Sequence, residues 1–133
     1  RRVFMHGGVE ASGTLLSDLW VLTVDSAGGV SWALESLTGG PGAVGRSGHA
    51  LLRLQGTLML MGGQFEGAFD DNVWLLNVTS PDSLSWYPSS ASSTPGALAA
   101  KQATAAIGTR VYMVGGTRSG AVQPDAVRVA EAS

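Results

Sequence analysis

The sequence predicts an all-β chain of repeated antiparallel sheets, and three observations support this prediction. Gly-Gly pairs follow apolar runs at intervals of about 54 residues, tryptophans recur at the same interval, and no helical period is visible. Hydrophobic residues make up 44% of the 133 residues and charged residues only 14%. This composition favours a packed core over disorder.

The repeat is defined by two kinds of marker. The Gly-Gly pairs are Gly7-Gly8, Gly62-Gly63 and Gly115-Gly116. The tryptophans are Trp20 and Trp74 in one strand, and Trp32 and Trp86 about a dozen residues later. Because these independent markers share one spacing, we divide the chain into a partial unit over 1–35, a complete unit over 46–88 and a partial unit over 101–133.

Each unit is predicted to form four short strands. In the complete unit these are Gly48–Leu54, Thr57–Met61, Asn72–Val78 and Leu84–Tyr87, with Gln55-Gly56 as a tight hairpin turn. The first unit lacks its first strand. The third has three strands, near Gln102–Ile107, Arg110–Val114 and Asp125–Ala130.

The third strand of the complete unit is apolar on both faces. One face carries Val73 and Leu75, and the other carries Trp74, Leu76 and Val78. Such a strand belongs to a sheet that is covered on both sides. Because each blade of a β-propeller packs between two neighbours, the pattern favours propeller blades over a two-layer sandwich.

These residues resemble the Kelch repeat. The opening strand of that repeat is similar to Arg46–Ala50, its Gly-Gly strand to Leu58–Gly63, and its aromatic strand to Asp71–Trp74, with Trp86 following. The resemblance implies Kelch-type β-propeller blades of four antiparallel strands. Propellers close with about four to eight blades, so we expect an incomplete propeller that pairs with the remainder of a parent propeller or self-associates.

The resemblance also assigns structural roles. We expect the Gly-Gly pairs to let the backbone leave the strand and to make room for a large ring. Trp32 and Trp86 are the expected rings, in the core. The third unit departs from the pattern, because Val127 stands where the other units have Trp20 and Trp74.

The predicted function is a protein–protein interaction scaffold, with long loops at one end of the blades holding a protein partner. These loops are Val9–Ser17, Gln64–Asp70, Thr117–Pro124, Ser36–Gly45 and Ser89–Ala100. The candidate partner-binding residues are Gln64, Phe65, Glu66, Phe69, Arg46 and Arg118. The alternatives are that the phenylalanines fold back onto the blade and that Arg46 ties neighbouring blades together.

No enzyme and no cofactor are predicted. The chain has no Cys, no metal-ligand spacing links His6 with His49, and Asp70-Asp71 sits before a strand, where a structural polar residue is expected. The alternative is part of a galactose-oxidase-like propeller enzyme with its active residues in other blades. A carbohydrate-binding propeller is a third possibility, which a signal peptide before Arg1 would favour.

Two classes of partner are excluded by composition. The formal net charge is -2 and the eight Lys and Arg residues are scattered, so no nucleic-acid partner is expected. No apolar run reaches the roughly 18 residues of a membrane helix, so no membrane partner is expected.

Overall fold

The chain folds as antiparallel β-structure. The computed structural model describes residues 1–37, 45–70, 72–79, 84–89, 100–118, 121–122 and 127–131, the last two ranges in their backbone only. Every element in these ranges is a strand, every strand pair is antiparallel, and none of the sheets closes on itself. The all-β prediction is confirmed.

The first sheet has three strands, as the sequence predicts. In spatial order they are β1 (Arg2–Val9), β2 (Leu15–Val24) and β3 (Val30–Glu35). A bulge interrupts the register between His6 and Gly8. The loop predicted over Val9–Ser17 is shorter in the structure. Val9 ends β1 and pairs with Leu15, which begins β2, so the connection contains only the residues between them.

The middle sheet has the four strands predicted for the complete unit. The chain passes through β4 (Ala50–Leu54), β5 (Thr57–Met61), a hairpin of β6 (Gln64–Phe65) and β7 (Ala68–Phe69), then β8 (Val73–Asn77) and β9 (Trp86–Pro88). The sheet order is β4-β5-β8-β9. Gln55 has a φ of 53°, which fits the predicted turn at Gln55-Gly56.

The third sheet also has three strands. The remaining elements are β10 (Ala103–Ile107), β11 (Arg110–Val114), β12 (Thr117–Arg118), β13 (Ala121–Val122) and β14 (Val127–Glu131). The sheet order is β10-β11-β14, and β12 pairs with β13 in a separate hairpin. The predicted strand near Asp125–Ala130 is therefore found, with its first described residue at Val127.

The middle sheet is buried on both faces, as its sequence predicts. On one face Leu19 of the first sheet packs in a core with Leu58, Leu60, Leu76 and Val78. On the other face the third sheet supplies the neighbours. That second core is formed by Ala50, Leu54, Met59, Met61, Val73, Leu75, Val111 and Met113. The three sheets are therefore stacked face to face.

The two predicted core tryptophans have different environments. Trp86 is 3% exposed, whereas Trp32 is 52% exposed. The prediction for Trp32 is wrong because its ring lies on the face of the first sheet turned away from the middle sheet, and no described sheet covers that face. Trp86 lies on the corresponding face of the middle sheet, which the first sheet covers.

The space beside the Gly-Gly pairs is not occupied by the large aromatic ring that the sequence predicts. A Cβ on Gly63, whose φ is +86°, would lie 2.8 Å from the Cβ of His49 and 2.9 Å from the carbonyl oxygen of Ser47. A Cβ on Gly7 would lie 2.9 Å from the carbonyl oxygen of Arg46. The close neighbour of both glycines is therefore the chain segment Arg46–His49, and not a tryptophan ring.

Candidate functional site

Four of the six predicted partner-binding residues lie on one hairpin, which we name the site hairpin (Gln64–Phe69). Gln64 pairs with Phe69 and Phe65 pairs with Ala68, so that Glu66 and Gly67 form a two-residue turn. Both turn residues have positive φ, 46° and 80°, as a type I′ turn requires. The sequence predicts only a loop here, but its Glu66-Gly67 pair between two phenylalanines is consistent with a tight hairpin.

The base of the site hairpin is bonded to the segment that enters the middle sheet. The backbone N–H of Gln64 donates to the carbonyl of Ser47 at 2.9 Å, and the N–H of Ser47 donates back to the carbonyl of Gln64 at 3.2 Å. Ala100 and Thr117 exchange the same two bonds at 2.9 and 2.8 Å in the third unit. This bridge is therefore part of the repeat.

A buried ion pair lies beneath the site hairpin. Arg46 Nη2 donates to Asp70 Oδ2 at 2.9 Å, and Arg46 Nη1 donates to the carbonyl of Gly62 at 3.2 Å. Arg46 is only 2% exposed. Because it is buried, the guanidinium is not available as a surface contact. The side chain bonds within the middle unit, whereas the backbone of Arg46 bonds to the first sheet through the N–H of Gly8 and the carbonyl of Leu16.

Asp70 accepts several further hydrogen bonds. The backbone N–H and side-chain amide of Asn72 donate to Oδ1 at 2.9 and 2.7 Å, and Trp74 Nε1 donates to Oδ2 at 2.9 Å. Burial alone would raise the pKa of the Asp70 carboxyl, but the donors from Asn72, Trp74 and Arg46 together lower it below its usual value. Asp70 is therefore a structural carboxylate, and Asp71 lies outside the described residues.

The two phenylalanines of the site hairpin contact different arginines. The guanidinium carbon of Arg46 lies 5.9 Å from the centroid of the Phe65 ring, and that of Arg118 lies 5.5 Å from the centroid of Phe69. Both rings are half-buried. Phe69 shares a face of the hairpin with Gln64, whereas Phe65 is on the other face, because cross-strand partners share a face and successive residues alternate. The rings therefore hold the hairpin from both sides and do not form one joint anchor.

The surface that the site hairpin offers is polar. Gln64 and Glu66 are exposed, as are Gly67 and Ala68 at the turn. Arg118 lies half-buried beside Phe69 and so adds a cation from the hairpin β12-β13 of the third unit. The structure thus brings Gln64, Glu66 and Arg118 to one end of the stacked sheets.

Two histidines that are far apart in sequence meet between the first and middle sheets. The rings of His6 and His49 are edge to face with centroids 5.3 Å apart, and the His6 ring is 5.6 Å from that of Trp86. Neither ring nitrogen of His6 has a hydrogen-bond partner of ordinary geometry among the described residues. The separation of His6 and His49 in sequence hid this contact from the sequence analysis.

Burial sets the protonation of this pair. It lowers the pKa of His6 to about 4, helped by the nearby charges of His49 and Arg46, whereas Asp18 and the backbone of Ser17 act in the opposite direction. Burial and Arg46 also lower the pKa of His49. Both rings are therefore neutral at pH 7. Over the described ranges, no third His, Cys, Asp or Glu completes a metal site with them.

A small cleft lies at the opposite end of the middle and third sheets. It has a volume of about 160 Å³, and its lining includes Leu54, Gln55, Leu75, Tyr87 and Thr109. It carries no charged side chain among these residues. It lies beside the short turns, where no binding residue is predicted from the sequence.

Two of the other predicted loops, Ser36–Gly45 and Ser89–Ala100, lie largely outside the described residues. The third, Thr117–Pro124, is described in part as the hairpin of β12 and β13. The described part of the chain contains no helix that could cross a membrane. Comparison with protein-family models and with curated proteins found no match to this chain.

Proposed function

We propose that the chain forms one complete and two partial blades of a Kelch-type β-propeller and acts as a protein-interaction scaffold. The proposal is supported by the repeat, since the bridge between Ser47 and Gln64 in the middle unit recurs between Ala100 and Thr117 in the third unit. Blades stacked in this way carry their long connections at one end. Loops held by such a rigid framework are common sites of recognition.

The observation that carries the proposal is the way the site hairpin is held. A buried ion pair lies below it, an arginine contacts each of its two rings, and two backbone bonds tie its base. The hairpin nevertheless exposes Gln64 at its base and Glu66 at its turn. A preorganised polar hairpin loses little conformational freedom on binding, and this favours recognition of a partner.

The chemistry of these two exposed side chains indicates the kind of segment that the site hairpin would hold. Glu66 supplies a carboxylate acceptor, and Gln64 supplies both an acceptor and a donor. We therefore propose a peptide segment that presents backbone N–H groups or a basic side chain to the site hairpin. Hydrogen bonds from a charged donor to a carboxylate are stronger than neutral ones.

A displayed library of random peptides tests this function. The immobilised chain should select a consensus containing Lys or Arg, and Glu66→Lys should abolish that selection. Ser26→Lys is the matched control, because Ser26 is exposed in the turn between β2 and β3, away from the site hairpin. Absence of a consensus, or one that survives Glu66→Lys unchanged, would refute a binding role for the site hairpin.

A further inference from the structure

The first sheet presents a continuous apolar face to solvent, which we name the outer face. Two cross-strand rows form it, since Val3 pairs with Leu22 and Leu22 with Trp32. The second row runs from Met5 through Trp20 to Leu34. Val3, Met5, Trp32 and Leu34 are exposed, whereas Trp20 and Leu22 are half-buried. Contiguous exposed apolar faces of this kind mark interaction surfaces.

The repeat shows what covers such a face. The row Val3–Leu22–Trp32 corresponds to the row formed by Leu58, Leu76 and Trp86 in the middle sheet. Val3 is 55% exposed, whereas Leu58 is 2% exposed because the first sheet covers it.

The third sheet follows the same rule. Val111 and Met113 occupy the positions of Leu58 and Leu60, and both are buried against the middle sheet. In two of the three units, therefore, this face is covered by the opposite face of another sheet of the same repeat.

The complementary surface is present on the same chain. Met59 and Met61 of the middle sheet face the third sheet. Their counterparts in the third sheet are Tyr112, which is half-buried, and Val114, which is exposed together with Ile107. The third sheet therefore exposes the same type of face as the one with which the first and middle sheets each cover a neighbouring sheet.

We propose that the outer face is covered by the third sheet of a second copy of this chain, in a head-to-tail dimer. Two copies would supply six sheets, within the range of about four to eight in which propellers close. A head-to-tail contact produces a ring when its rotation closes. This interface is distinct from the site hairpin and adds a partner to the proposed function.

The proposal is tested by the mass of the chain in solution. Light scattering or sedimentation measures this mass over micromolar to near-millimolar concentrations. We expect twice the mass of one chain. Trp32→Glu and Val114→Glu should each weaken association at least about tenfold, because each places an unpaired charge in an apolar interface. Ser31→Glu is the control, because Ser31 is exposed on the opposite face of the same strand. It should leave the dimer intact.

Mixing the two variants determines the geometry. The Trp32→Glu chain keeps its third-sheet face and the Val114→Glu chain keeps its outer face, so a mixture should recover a two-chain species that neither forms alone. Circular dichroism melts establish that both variants are folded. A monomeric natural chain, a dimer that survives either substitution, open higher oligomers, or a mixture that stays monomeric would each overturn the proposal.

Discussion

Arg46 Nη2 lies 2.9 Å from Asp70 Oδ2, and this ion pair joins the start of the middle unit to the end of the site hairpin. Both side chains are buried. Removing one partner leaves an uncompensated buried charge, so Arg46→Met should lower the free energy of unfolding by about 3–5 kcal/mol. Chemical denaturation measures this change.

The double variant Arg46→Met with Asp70→Asn is the control for the ion pair. It removes both charges and should be less destabilised than the sum of the two single variants. A loss below about 1 kcal/mol for Arg46→Met would mean that the pair contributes little.

Lys101 occupies the backbone position that Gly48 occupies in the middle unit. Their φ angles are 59° and 67°. A left-handed conformation costs a residue with a Cβ about 1–2 kcal/mol, and glycine avoids this cost. Part of the benefit is offset because glycine has more conformational freedom in the unfolded chain. Lys101→Gly should therefore stabilise the chain by about 0.5–1 kcal/mol.

The opposite change, made at the equivalent position Gly48, provides the comparison. A Cβ on Gly48 would lie 3.2 Å from the Cβ of Ala100 as well as requiring positive φ, so Gly48→Ala should be destabilising. Lys101→Ala, which keeps a Cβ, should give no stabilisation. Urea melts of the three variants check the account, and equal effects of Gly and Ala at position 101 would contradict it.

Much of the fold could be predicted because it depends on local pattern. The alternation of Val73 and Leu75 with Trp74 correctly assigns both faces of β8. Burial of Trp32 could not be predicted from its own strand, since it depends on whether another sheet covers that face. The Kelch family assignment also goes beyond local pattern, and it stays a prediction.

The site was less predictable than the fold because its contacts are long-range. Two-residue strands such as Gln64–Phe65 are too short to show an alternating pattern. Nothing in the local sequence of Arg46 indicates a partner at Asp70, and His6 gives no sign of His49. These pairs become neighbours only when the segment Arg46–His49 lies beside the Gly-Gly ends of the strands.

The buried His6 ring makes stability depend on pH. Its pKa is about 4 in the folded chain against an ordinary value of 6.5 for histidine, so the unfolded chain binds more protons between these values. The free energy of unfolding should therefore fall as pH falls from about 6.5 towards 4, by up to about 3 kcal/mol.

Denaturation at intervals between pH 7 and pH 5 tests this contribution while the carboxylates remain ionised. His6→Gln should reduce the slope, and the remaining slope should come from His49, whose pKa is lowered by burial and by Arg46. A slope that is identical in the natural chain and in His6→Gln would exclude His6 as its source.

Trp86 and Trp32 form a matched pair in the repeat with opposite exposure. Trp86→Ala should lower the free energy of unfolding by about 3–5 kcal/mol, as large buried aromatic residues do. Trp32→Ala should cost less than about 1 kcal/mol in the monomeric chain. The pair is compared by denaturation of a variant kept monomeric by Val114→Glu, and similar losses for both would show that the sheet packing is misassigned.

The role of the site hairpin in binding is tested most directly by measuring affinity and melting temperature together. For the peptide consensus, the double variant Gln64→Ala with Glu66→Ala should bind at least about tenfold more weakly, which is about 1.4 kcal/mol. Its melting temperature should be unchanged, because both side chains are exposed. Phe65→Ser with Phe69→Ser should instead lower the melting temperature, since both rings are half-buried against arginines. Unchanged affinity in the Gln64 and Glu66 double variant would contradict the account and move the binding surface to the loops at 36–45 and 89–100.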